Sequence, residues 1–238
     1  MARLPRFVLP GFPQNVIQRG NNRQQILFKE EDYWFLREKI GTAAEKFDCK
    51  IHAYCLMPNH FHLLLTPLSE DGIGKLMQYV GRYYVQYFNG GNERTGTLWE
   101  GRYRATLLDP TAWLIPVSQY VENNPVRAGL VSDPADYAWS SFAANAGGAQ
   151  DGLVSPHAAY ERLGRSQKTR QSAYAKGFTT PLDETRLARI RDATNKAWVL
   201  GDSAFCDLVE ERLNRRATPR ARGGDRRSAA YRDAAGRA

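Results

Sequence analysis

The 238-residue sequence predicts an α+β fold in which an antiparallel sheet carries helices on one face. Three observations predict it. Short runs alternate apolar and polar residues, as half-buried strands do. Longer runs repeat apolar residues every three or four positions, as amphipathic helices do. The two patterns follow one another in the order strand, helix, strand, strand, helix, strand.

Val16-Ile17-Gln18-Arg19 reads as the first strand, ended by the turn signal Gly20-Asn21-Asn22. A helix is predicted over about 30–47, where Tyr33, Phe35, Leu36, Ile40, Ala43, Ala44 and Phe47 recur at helical spacing. Strands at about 50–57 and 60–66 follow as an antiparallel pair joined by a tight Pro58-Asn59 turn. Ile73, Leu76, Met77, Val80, Tyr84 and Phe88 predict a second helix over 72–88, stopped by Gly90-Gly91-Asn92. A strand is expected across 98–108 and a third helix across about 111–123, closed by Pro125. Pro116 inside that helix predicts either a kink or a helix that begins there. The order is the ferredoxin-like βαββαβ plan, whose second sheet face is expected to lie open to a metal and a substrate.

The main domain is expected over residues 1–142. An Ala/Gly-rich stretch then opens a linker and irregular segment over 143–182. Residues 183–216 hold two helical patterns split at Leu200-Gly201-Asp202. They predict a helical extension that packs back on the main domain, a helix-turn-helix being the weaker alternative. Residues 217–238 are expected to be a disordered, Arg-rich tail.

Charge is uneven along the chain. Of the net +8, residues 212–238 contribute nine Arg against two Asp, so about +1 is left for everything before them. Such an arm suits either phosphate backbones or plain solvation. Cys49, Cys55 and Cys206 are odd in number and lack a C-x-x-C spacing, which argues against a disulfide framework or thiolate zinc site. The start of the chain lacks the apolar core of a signal peptide, and no stretch has the length of a membrane span. A cytoplasmic protein, nucleoid-associated when on DNA, is the expectation.

His60 and His62 are the most informative residues. Two apart on a strand, they project from one face while Phe61, Leu63 and Leu65 point into a core. Such a pair reads either as half of a divalent-metal site or as two satisfied polar residues. Tyr120 and Asn124, four apart before Pro125, share one helix face. Asn124 can offer a hard oxygen ligand. Tyr120 is either a packing residue or a nucleophile toward a phosphoryl group made electrophilic by a metal.

Three motifs in unbroken order resemble those of REP-associated tyrosine transposases, within the insertion-sequence-200-like single-tyrosine HUH superfamily. They are Met57-Pro58-Asn59-His60-Phe61-His62, Trp99-Glu100-Gly101-Arg102-Tyr103-Arg104, and the run from Tyr120 through Asn124-Pro125-Val126-Arg127 to Val131. The resemblance covers roughly residues 5–142. It implies cleavage of single-stranded DNA beside hairpin-forming repeats, a 5′-phosphotyrosine intermediate and an Mg²⁺ or Mn²⁺ cofactor. It matches His60 and His62 to metal ligands, Asn124 to the third ligand and Tyr120 to the nucleophile. The partner it implies is hairpin-bearing single-stranded DNA, with the protein a monomer or a homodimer. DNA contacts are expected from Arg19, Asn21, Asn22, Arg23, Arg82, Arg102, Tyr103, Arg104 and Arg127, which combine guanidiniums, amides and a stackable ring. Tyr79, Tyr83, Tyr84 and Tyr87 lack an Asn four residues on and are expected to pack or to contact DNA. Two alternatives stand beside this reading: a metallonuclease that uses water, and a hairpin-binding protein that no longer cuts.

Overall fold

A computed structural model describes residues 6–219. The alternating runs form strands β1 (Gln14–Arg19), β2 (Cys49–Met57), β3 (His60–Pro67) and β4 (Arg104–Leu107). They make one antiparallel sheet in the order β2-β3-β1-β4. Pro58 and Asn59 form the two-residue loop between β2 and β3, with Met57 opposite His60. Helices α1 (Glu30–Lys46) and α2 (Gly72–Gly91) follow β1 and β3, which completes the ferredoxin-like plan.

Antiparallel partners directly opposite one another share a sheet face. On the first face, Phe61, Leu63, Leu65 and Val16 pack with Leu36, Ile40, Ile73, Leu76 and Val80 of α1 and α2. Asp32 ties the two helices together: its carboxylate accepts the amides of Phe28 and Lys29 and the hydroxyl of Tyr87.

The last strand is shorter than the sequence pattern predicts. Trp99 makes only an isolated bridge to Gly20, and Gly101 turns the chain with φ +69° before β4 begins. Trp99 is instead an anchor, its ring 5.9 Å from that of Tyr84 and 6.1 Å from that of Phe61. Helix α3 (Pro110–Glu122) neither starts at Pro116 nor stops there. Asp109 caps it by accepting the Thr111 amide, so Pro116 lies in the interior. A short helix α4 (Asn124–Arg127) follows after Asn123.

The second sheet face is not open as expected. Trp113, Leu114, Val117, Tyr120 and Val121 of α3 cover it, joined by Leu187 and Ile190 of α8 (Glu184–Lys196). The segment expected as a linker is built into the fold. It carries α5 (Phe142–Asn145), α6 (Ala158–Glu161) and α7 (Gln167–Lys176), and Ser141 and Ser155 donate amides to Tyr54 and Ile51 of β2. Glycine, alanine and short polar residues hid these elements because the helices at 142–145 and 158–161 are single turns with no periodicity to read. The extension packs back on the main domain as expected. Phe205 and Val209 of α9 (Ser203–Leu213) bury Phe7 and Leu9, and Leu200 bridges Leu108 beside β4. Of the Arg-rich tail, residues 220–238 lie outside the described residues, whereas Ala217 is buried and its amide meets Glu210. Among the described residues, no helix is long and apolar enough to cross a membrane.

Candidate active site

The alternation of β3 decides which residues meet on the covered face. His60 and His62 both project there, their ring centroids 5.1 Å apart. Their strand partners bring neighbours to the same face: Arg19 opposite His60, and Ile17 opposite His62. Helix α3 lies over this row and presents Tyr120, whose ring centroid is 6.0 Å from that of His62. His62 is 2% exposed and Tyr120 is 8% exposed, so both sit beneath the surface.

Burial pushes the His60 pKa down to about 4, helped by the cationic Arg19 and Arg127 nearby. His62 is held well below its ordinary value by burial first, then by His60, Arg127 and Arg19. Both imidazoles are therefore neutral at pH 7 and carry a free lone pair, the form a metal requires. His60 Nδ1 pairs with Asn59 Oδ1 at 2.6 Å. His62 Nδ1 is buried with no hydrogen-bond partner, which is costly unless something else occupies it.

Asn124 opens α4, one turn beyond Tyr120. Its Nδ2 donates to the carbonyls of Val121 at 3.1 Å and Tyr120 at 3.4 Å, satisfying acceptors that the end of α3 leaves over. Its Oδ1 accepts from Arg127 at 2.7 Å, and Arg127 also donates to the Tyr120 carbonyl at 2.8 Å. The guanidinium carbon of Arg127 stands 4.1 Å from the Tyr120 ring centroid. Arg127, expected as a DNA contact, thus braces Tyr120 and Asn124 from one side. Two neutral imidazoles, one with an orphaned buried nitrogen, and a carboxamide oxygen with a second lone pair are a donor set that suits a divalent cation.

Gly20-Asn21-Asn22-Arg23 folds against the hairpin turn that bears His60. The Gly20 amide donates to Asn59 O, and Asn59 Nδ2 donates to Arg23 O. A Cβ at Gly20 would collide with the Gln24 carbonyl and the Ile26 side chain, and Asn22 and Arg23 take φ of +50° and +57°. Arg104 faces the same side as His62, with Ile17 between them. Arg102 is exposed at the sheet edge, and the carbonyl of Tyr103 accepts from Arg6. Arg82 is not brought to the site: it is on α2, behind the opposite face. Tyr79, Tyr84 and Tyr87 lie there too, packed on the α1–α2 core, and Tyr83 shares their helix.

Sequence reasoning missed Glu122. Lying between Tyr120 and Asn124, it turns away from them into a fully buried pocket. There Ser141 (2.5 Å), Asn145 (2.7 Å) and Tyr174 (2.7 Å) donate to its carboxylate. Burial raises its pKa to about 7 against the lowering pull of those donors. A charged residue flanked by Val121 and Asn123 shows no sign of this in sequence, since its partners lie 19 to 52 residues further along the chain.

Comparisons with known proteins bear on the family and the fold. Residues 14–124 match the family model described as "Transposase IS200 like". Through these residues the chain is similar to the IS200-like transposases. A relative from Haemophilus influenzae, assigned as a REP-associated tyrosine transposase, is 25% identical over 116 residues, 44% of this chain. The chain spans 66% of that relative's length. A solved structure of a REP-associated tyrosine transposase bound to a REP hairpin shares the fold, with TM-score 0.51 and 22% identity over 67% of this chain and 96% of that one.

Proposed function

We propose that this protein is a divalent-metal-dependent DNA endonuclease and strand transferase that acts on single-stranded DNA beside hairpin-forming repeats. The observation that carries the reading is the approach of Tyr120 to His62 across two elements distant in sequence, with His60, Asn124 and Arg127 around them. The hairpin substrate is drawn from the solved neighbour, whose partner is a REP hairpin.

His60, His62 and the Asn124 carboxamide would hold the cation, which supplies Lewis-acid polarisation of a phosphoryl oxygen. Tyr120 Oη then forms a bond to phosphorus as the bond to the 3′ oxygen breaks. The phenolic proton leaves to solvent, and the departing oxygen takes a proton to become a free 3′-OH. The phosphotyrosyl ester retains the energy of the broken linkage, so the strand can be rejoined without another energy source. Arg127 bonds the Tyr120 carbonyl and stacks on its ring, a brace that would help to hold the phenol toward His62.

The test is to incubate the protein with labelled hairpin-containing single-stranded DNA and Mn²⁺. Wild type should give a denaturation-resistant adduct whose tryptic peptide carries nucleotide on Tyr120. Tyr120→Phe should bind the same DNA and form neither adduct nor 3′-OH end. Cleavage by Tyr120→Phe at the same phosphodiester would make water the nucleophile and overturn the covalent mechanism.

A further inference from the structure

Beside the candidate active site, the outer edge of β4 opens into a cavity of about 400 Å³. Arg6, Arg102, Arg104, Lys196 and Arg215 line it against a single carboxylate, Glu100. Tyr103 and Trp198 add aromatic surface to the wall. Arg6 donates twice to the Tyr103 carbonyl and stacks on its ring at 3.4 Å, so one guanidinium is held in place before any ligand arrives.

The cavity is joined to the active-site face. Arg104 shares that face with His62, and β1 is the one strand between theirs. Two interstrand spacings put their backbones about 10 Å apart. A narrow cleft bridges the gap, lined by Arg19, Arg102 and Arg104 together with Ile17, Gln18, Asn195 and the same Glu100. The result is a track of cations from Arg19, opposite His60, out to Arg215.

Half of the cavity wall comes from the extension. Asn195 Oδ1 accepts from Arg104 at 2.6 Å, and α8 ends at Ala197 in a left-handed turn that leads to Trp198. Lys196 is paired with Asp192 at 2.6 Å on its own helix, so the extension contributes a tempered charge. These residues lie beyond 14–124, the stretch that matches the family model.

We infer that this cavity is a subsite for the single-stranded DNA flanking a hairpin, its cations meeting backbone phosphates and its aromatic wall meeting an unpaired base. The inference rests on the DNA-cleaving function proposed above. Cations in a row suit a phosphodiester chain, and aromatic faces accept any unpaired base. A strand held here continues along the Arg104–Arg19 track to Tyr120, so the extension would hold the strand that the active site cuts.

Fluorescence anisotropy with the full-length protein tests this using three probes: a bare hairpin, and the same hairpin with a single-stranded flank on its 5′ or its 3′ side. Wild type should bind one flanked probe more tightly than the bare hairpin. Lys196→Glu, an exposed change, should cut that advantage on the order of tenfold and reduce the salt slope by about one. Arg215→Ala should act in the same direction, with an unfolding curve to confirm that the Phe7 contact it leaves has not unfolded the extension. Bare-hairpin binding with no flank advantage in wild type, or an advantage unchanged in both variants, would overturn the subsite alone. Failure of wild type to bind any of the probes would instead overturn the proposed function.

Discussion

On one face of the sheet, Phe61, Leu63 and Leu65 meet the leucines and isoleucines of α1 and α2. On the other, His60 and His62 meet Arg19, Tyr120 and Arg127 under α3. Both faces are buried and both are read from the same strand, yet they differ in what burial does. Burial of the first removes apolar surface from water and so stabilises the fold. Burial of the second strips water from imidazoles and a guanidinium, keeps the imidazoles neutral and leaves His62 Nδ1 without a partner. That arrangement costs stability and makes sense as a site prepared for a ligand.

The sharpest way to break the contrast is to empty each face in turn. His60→Ala with His62→Ala should reduce metal-dependent cleavage to background, while hairpin binding and the unfolding midpoint change little. Full cleavage by the double variant would remove these residues from the site. Leu63→Ala on the other face should do the reverse. It should lower stability by about 2–5 kcal/mol in urea titrations, with cleavage per folded molecule unchanged.

Glu122 allows a subtler comparison, because it is a buried carboxyl whose hydrogen-bond partners, Ser141, Asn145 and Tyr174, lie outside the candidate site. Its pKa is about 7 in the folded protein against 4.5 for an ordinary glutamate. A folded pKa above the unfolded one gives stability that is complete below the unfolded pKa and is lost as pH rises through the folded one. Between those two values the unfolded chain gives up the proton that the folded one keeps, a loss on the order of 3 kcal/mol. Glu122→Gln should lack this slope, so its stability relative to wild type should climb from acidic to neutral pH and then level off. Parallel pH–stability curves for the two proteins would show that the folded-state carboxyl is not perturbed.

The smallest expected effect concerns arginines on opposite faces. Arg19→Ala should weaken hairpin binding on the order of tenfold, and Arg82→Ala should leave it nearly unchanged. Equal losses would mean that DNA wraps both faces.

Much of this was legible from residue order alone. Strand alternation put His60 and His62 on one side and Phe61, Leu63 and Leu65 on the other, because side chains on a strand have no other choice. Helical spacing likewise identified α1 and α2 and the split between α8 and α9. The pairing of Tyr120 with Asn124 followed from their separation of four. What the sequence could not decide was what lies over the second face. That depends on which apolar surface α3 and α8 find, and such long-range packing leaves no periodicity behind. The Asn124 oxygen bonded to Arg127, the Glu122 carboxylate held by three residues of two later segments and the cavity closed by Lys196 and Trp198 are all products of that packing. Local backbone geometry chose the residues that could meet, and the burial of the second face decided which of them did.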